Sequence, residues 1–441
     1  MSRDVLNTDL YEVNMALAYL GEGMTAPATF SLFVRDLPAD RGFLVAAGLE
    51  RVIDYLERFH VTAAHLAVLS DALGRPALEL RNLRFTGDVW AVPEGRVVYA
   101  GEPLLEVTAP LPQAQFVETF LLNQVTYATA LTSKAARCVL AAAGKPVVDF
   151  GLRRTHGVEA GLQAARAGAI VGFAGTSNVA AAARYGLPAV GTMAHSFVES
   201  FADERTAFRA FVRRSTGPAI LLVDTYDTER GVWIAADVLR TVARERQLGV
   251  RLDSGDIDVL SRRARRILND AGVPTARIVA NGSLDEYAVE RLVAVGAPVD
   301  LFAVGTKVGT SADAPYLDSA YKLVEYDGHP VMKRSTGKAT LPGPKQVFRR
   351  AGAVDLIACR DEFGPPGAEP LLEPAMLQGR RISPAEPPQD VVAAAHRHFR
   401  ADLAGLSEPV RRIRRPETMT PELTQSLRQL TTDLDKRLER H

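Results

Sequence analysis

The chain has 441 residues, enough for two or three domains, and its 47% hydrophobic and 24% charged residues are an ordinary balance for a globular enzyme with a large core. Lys plus Arg and Asp plus Glu both total 52, so a formal net charge of zero gives no reason to expect nucleic acid or a membrane surface as a partner. Two cysteines, Cys138 and Cys359, with no CxxC pair argue against a disulfide framework and a structural zinc site.

The chain opens on "MSRDVLNTDLYEVN", which lacks the charged-then-apolar pattern of a secretory signal. No apolar run reaches the roughly 18 residues needed to cross a bilayer, and the expected location is the cytoplasm. Residues 1–130 mix short strands ("ATFSLFV", "GDVWAVPEGRVVYAGEPLLEV") with helices such as "LERVIDYLERF" and read as a small α+β domain. Residues 131–330 then alternate. Seven short apolar runs, "KPVVDF", "GAIVGF", "LPAVGT", "PAILLVDT", "LGVRLDSGD", "ARIVANG" and "VDLFAVGT", read as buried strands. Helical stretches such as "VLSRRARRILNDAG" and "DEYAVERLVAVGA" separate them, most stopping at Gly. Strands alternating with helices predict an α/β fold with parallel strands. Polar residues follow nearly every run, so an incomplete, seven-stranded β/α barrel is expected rather than an open doubly wound sheet. Residues 331–385 return to short strands expected to pack on the first domain, and 386–441 form a charged helical tail.

The polar strand ends carry the chemistry. "AVGTMAHSFVESF" places His195 between a strand end and a helix. Ser196 and Glu199 have the spacing of a capping box, which would put His195 just before the N-cap. There the helix dipole favours a neutral, nucleophilic imidazole and would stabilise a phosphoryl group on it. The alternative is a histidine hydrogen-bonded into the rim. In "VRLDSGD", Asp253 and Asp256 beside Arg251 suit Mg²⁺ or ribose hydroxyls, or else form a turn leaving the strand. In "DFGLRRTHG", Arg153 and Arg154 are suited to carboxylate or phosphate, or are a solvated pair, and Phe150 is core or a stacking platform. In "AVGTKVGTSADAP", Gly305 and Thr306 allow a phosphate close to the backbone, and Asn281 in "NGS" adds a polar group. Lys338 and Lys345 flank a Pro-Gly turn that reads as an exposed basic loop. Together these residues suit an anionic, phosphorylated, sugar-like substrate with Mg²⁺, without choosing the reaction.

The stretches "DFGLRR", "GTMAHSF", "VRLDSGD", "VGT" and "YKLVE", in this order, resemble the nicotinate phosphoribosyltransferase family over most of the chain. The resemblance implies a type II phosphoribosyltransferase that moves phosphoribosyl from phosphoribosyl pyrophosphate (PRPP) to nicotinate. It also implies coupling to ATP hydrolysis through a phosphohistidine, which by the match is His195. Arg251 and Thr192 would contact nicotinate, Thr306 the PRPP phosphate, and Asp253 the ribose or metal side. Arg153 and Arg154 match a basic pair near the pyrophosphate and the pyridine carboxylate. Tyr11 matches an aromatic that reaches the partner subunit's site, implying a homodimer with shared active sites, and Phe150 would help to sandwich the ring. A related enzyme acting on nicotinamide carries aspartate where Ser177 stands, so Ser177 removes a repulsion against nicotinate. Competing readings are nicotinamide as acceptor, a non-catalytic nucleotide-binding protein, and an unrelated barrel enzyme using Lys307 as base or Schiff-base former.

Overall fold

The computed structural model describes residues 4–243, 245–335, 338–350 and 352–440. The chain divides into two compact units, one of residues 1–133, 316–387 and 397–441, the other of 134–315 and 388–396.

The first unit is built on an antiparallel sheet. Its strands Pro27–Val34, Pro103–Pro110 and Ser319–Tyr326 are long and buried because their apolar side chains face packed elements. Phe30 stacks on Tyr321 with ring centroids 4.8 Å apart, and Leu32, Val107 and Phe116 are fully buried. Residues 319–326, read from the sequence as part of the barrel, therefore belong to this sheet, as the partner of Pro27–Val34. A second sheet joins Glu369–Pro370, Lys345–Arg349, Leu356–Cys359 and Glu422–Leu423. Lys345 is not on an exposed loop. It is buried, and its Nζ lies 3.1 Å from Glu106 and donates to the Gly343 carbonyl at 2.7 Å. Burial lowers its ammonium pKa.

The second unit is α/β. Five parallel strands lie in the order Val147–Asp149, Leu301–Val304, Arg277–Ala280, Leu248–Leu252, Ala219–Leu222. One inward residue from each of four strands, Val148, Ile220, Val279 and Ala303, forms a small apolar cluster, with Phe150 and Val190 packed against it. Of the seven expected strands, these five are formed. "LPAVGT" contributes a single parallel bridge at Ala189, to Thr176, which in turn bridges to Asp149. "GAIVGF" is no strand: its apolar residues end the helix Val158–Val171, where Ala164, Ala167 and Ile170 face the core. A short apolar run is ambiguous between strand and helix, and here the preceding helix simply continues through it.

The helices after the strands start in one way. Asp227, Asp256 and Asp285 precede Thr228–Leu239, Ile257–Asp270 and Glu286–Ala294, and each carboxylate accepts a backbone N–H of the first turn. Some of the polar residues that follow the strands are therefore helix caps.

Candidate active site

The loop after Val147–Asp149 is organised by Asp149. Its carboxylate is buried, accepting from Gly151 N–H at 2.8 Å and Thr176 Oγ1 at 2.6 Å, and burial raises its pKa. This shapes the turn that leads to Arg153 and Arg154, both exposed, whose guanidinium groups make no hydrogen bond or ion pair among the described residues. Gly305 lies against this turn. A Cβ on it would sit 2.8 Å from the Phe150 carbonyl oxygen, so only glycine lets the two loops approach. Thr306 follows, exposed, at the start of the short helix Thr306–Gly309. Ser177 is half-buried and donates its N–H to the Asp149 carbonyl at 2.8 Å.

Three other loops supply a connected cluster. Arg251, at the end of Leu248–Leu252, is buried and donates from Nη1 to Thr192 Oγ1 at 2.7 Å and to the Met193 carbonyl at 3.2 Å. Its Nη2 lies 3.6 Å from Asp253 Oδ2. That same oxygen lies 3.5 Å from His195 Nε2, and His195 Nδ1 lies 3.2 Å from Thr225 Oγ1. Desolvation lowers the Arg251 pKa, against the pull of Asp253 and Asp224 and with the help of Arg153. Asn281 joins through its backbone, donating to the Leu252 carbonyl at 2.8 Å.

Two residues of this cluster escape a sequence reading: Asp224 and Thr225, in the run "PAILLVDT". Asp224 Oδ2 accepts from Asp253 N–H at 2.9 Å and Ser254 Oγ at 2.7 Å, while its Oδ1 is buried with no hydrogen-bond partner among the described residues. Their position directly after a strand was the available signal.

Several expectations need correction. His195 does not precede the N-cap. It is the first residue of the helix His195–Glu199, Ala194 is the N-cap, and no side chain caps it, so the Ser196–Glu199 box does not form. A box needs its serine outside the helix, and here Ser196 is already inside. Asp256 has a structural task beside the one expected of it, because its Oδ1 caps Ile257–Asp270 through the N–H groups of Asp258 and Val259. Lys307 is ion-paired to Asp285 at 2.7 Å, which does not suit a free amine nucleophile. Tyr11, expected to serve a partner subunit's site, needs no correction: it lies in the first unit, 49% exposed on the helix Leu10–Gly21, with its hydroxyl donating to Glu12.

Among the described residues no group of three or more His, Cys, Asp or Glu is placed to hold a metal. Magnesium usually takes only one or two protein carboxylates beside substrate phosphates, and Asp253 with the unpartnered Oδ1 of Asp224 fits that lesser role.

The chain is similar to known proteins along most of its length. Residues 6–126 match the nicotinate phosphoribosyltransferase N-terminal domain, and residues 146–294 match the nicotinate phosphoribosyltransferase family. Nicotinate phosphoribosyltransferase pncB2 of Mycobacterium tuberculosis is 47% identical, covering 87% of this chain and 84% of its own. The Bacillus subtilis nicotinate phosphoribosyltransferase is 43% identical over 78% of this chain and 72% of its own. The crystal structure of human nicotinic acid phosphoribosyltransferase superposes with a TM-score of 0.82 at 29% identity, covering 97% of this chain and 99% of that one. By its sequence and its fold, this chain belongs to the nicotinate phosphoribosyltransferase family.

Proposed function

We propose that this protein transfers the phosphoribosyl group of PRPP to nicotinate, giving nicotinate mononucleotide and pyrophosphate, and that ATP hydrolysis through a phosphohistidine at His195 drives the transfer. The observation that carries this reading is the linked set Thr192, Arg251, Asp253, His195 and Thr225, drawn from three loops at one end of a parallel sheet.

The pyridine nitrogen of nicotinate already has a free lone pair, so no general base is needed. The bond from ribose C1′ to the pyrophosphate oxygen breaks, that oxygen leaves with the electron pair, and the ring nitrogen bonds to C1′. The work left to the protein is alignment and charge stabilisation. Arg251, buried and held by Thr192, is suited to the nicotinate carboxylate, and Phe150 offers a ring face. Arg153, Arg154, Gly305 and Thr306 would receive phosphate oxygens. Asp253 and Asp224 would hold the Mg²⁺ that accompanies PRPP, whose charge screens the departing pyrophosphate.

His195 has the features a phosphoryl acceptor needs. In the tautomer whose Nδ1–H donates to Thr225, Nε2 keeps its lone pair, and the side chain is 39% exposed. Nε2 would attack the γ-phosphorus of ATP, ADP would leave with its bond electrons, and water would later cleave the phosphoramidate. The barrel is proposed to be completed by the Thr176 and Ala189 segments beside the five formed strands. A cytoplasmic homodimer, its site receiving the partner subunit's Tyr11, is part of the same reading.

The decisive assay supplies nicotinate and PRPP with and without ATP and follows nicotinate mononucleotide. ATP should stimulate the native protein and leave an acid-labile phosphate on the His195 peptide. His195→Ala should lose that stimulation yet retain slow transfer. Equal stimulation in the variant, or a preference for nicotinamide, would overturn the assignment.

A further inference from the structure

One cluster in the second unit lies outside the residues assigned so far. The helix Glu118–Ala141 contributes Lys134 and Arg137, one turn apart. Lys134 Nζ lies 2.5 Å from Glu286 Oε2 and 2.9 Å from Asp313 Oδ1. Arg137 Nε lies 2.9 Å from the other Glu286 oxygen and 3.9 Å from Asp313 Oδ2. Their side chains are at most 8% exposed. Two cations and two carboxylates balance one another, so no net charge is buried. Such a cluster contributes little net stability compared with apolar packing, and its better-attested use is to fix one arrangement.

What it fixes is the loop after the last strand. Asp313 ends the segment that begins at Gly305–Thr306. Nearer its start, Lys307 pairs with Asp285 at 2.7 Å, and Asp285 is also the N-cap of the helix Glu286–Ala294. Both ends of the loop are thus tied to the same two neighbours, Asp285 and Glu286, directly at Lys307 and through Lys134 and Arg137 at Asp313. Between the ties the loop makes its own turns, with Ser311 N–H donating to the Val308 carbonyl and Ala312 N–H to the Lys307 carbonyl, both at 3.0 Å.

We infer that the ion pairs Lys307–Asp285 and Asp313–Lys134, centred on Asp285–Glu286, are positioning contacts that hold the Gly305–Thr306 backbone in the form that receives the phosphate of the phosphoribosyl donor. The inference rests on the assignment of that loop to PRPP. A backbone that binds phosphate must be held before the ligand arrives, or binding must bear the cost of ordering it. These residues act through the loop and not by touching substrate.

Asp285→Asn separates this role from its alternatives. Asparagine caps a helix as well as aspartate, so the helix start is kept while the charge facing Lys307 is lost. The expected result is a KM for PRPP raised on the order of ten-fold, with kcat and the KM for nicotinate within about two-fold of the native enzyme. Asp313→Asn should act in the same direction, and Lys307→Arg, which keeps the pair, should stay close to native. If Lys307 were instead a direct phosphate ligand, freeing it in Asp285→Asn would lower the KM for PRPP. That outcome, an unchanged KM, or a parallel rise of both KM values with a lower Tm would overturn the inference. Turnover of nicotinate with PRPP by the native enzyme tests the underlying reading separately, so the two can fail independently.

Discussion

At Arg251 a buried guanidinium sits between a threonine, a carbonyl and a carboxylate, and its Nε has no hydrogen-bond partner among the described residues. An arginine so held is already aligned for a planar anion, which suits the carboxylate of nicotinate. Ser177 makes the complementary point. Ser177→Asp would place a negative charge in the region proposed to receive that acid, and the ratio of kcat/KM for nicotinate over nicotinamide should fall at least about ten-fold. Kinetics with both acceptors check this. Glu12 carries a pH effect in the first unit. It is fully buried, accepts from Thr119 N–H and Oγ1 at 2.9 Å and from Thr8, and burial pushes its pKa up to about 7. An acid whose pKa rises on folding favours the native state while protonated. Its contribution is full below about pH 4.5 and is lost as pH rises toward 7. Glu12→Gln cannot ionise, so its Tm relative to the native protein should improve from pH 5 to pH 8 by an amount corresponding to about 1–3 kcal/mol. Thermal unfolding at both pH values checks it, and a constant difference would reject it.

Helix starts and strand ends give two nearby aspartates different surroundings. Asp256 and Asp253 lie in one seven-residue motif, and sequence alone treats them as a pair. In the fold Asp256 caps Ile257–Asp270 while Asp253 faces His195 and Arg251. Asp256→Ala should therefore cost about 1 kcal/mol of stability with little change in the Mg²⁺ dependence of turnover. Asp253→Ala should keep the fold by circular dichroism and lower kcat/KM by about a hundred-fold or more. Similar kinetic losses in both would restore the paired-carboxylate reading. Gly282 shows the same economy of space, since at φ +89 a Cβ would lie 2.1 Å from the Asp253 carbonyl oxygen. The aromatic series Phe197, Phe201, Phe208 and Phe211 recurs at helical spacing along the sequence. It spans two helices, His195–Glu199 and Glu204–Arg214, folded so that Phe197 contacts Phe201 at 5.0 Å and Phe211 at 6.0 Å while Phe208 is fully buried. Asp203 starts the second helix by accepting from Thr206 N–H, which explains the break.

For the whole molecule, the proposed dimer gives a test that does not depend on crystals. If each site draws Tyr11 from one subunit and His195 from the other, mixing Tyr11→Ala and His195→Ala subunits creates some sites with neither defect. Random reassociation should restore about a quarter of native ATP-stimulated activity, and no recovery would argue for sites made within one chain. The alternation of β-branched runs with Gly-terminated helices was enough to predict a parallel α/β unit, because both periods are local. It was enough also to single out His195, Arg251, Asp253 and Gly305–Thr306 as candidates, because each ends or directly follows a strand or begins a helix. It could not show that the run ending at Phe173 finishes a helix, nor that Lys345 is buried, nor that Thr225 meets His195 and Asp224 meets Asp253. Those facts depend on which strands lie side by side: Val147–Asp149 bridges to nearby Thr176 on one side and pairs with Leu301–Val304, far along the chain, on the other. Spacing along a chain records hydrogen bonds a few residues long, whereas the company a polar side chain keeps is set by strand order and burial, which exist only once the chain has folded.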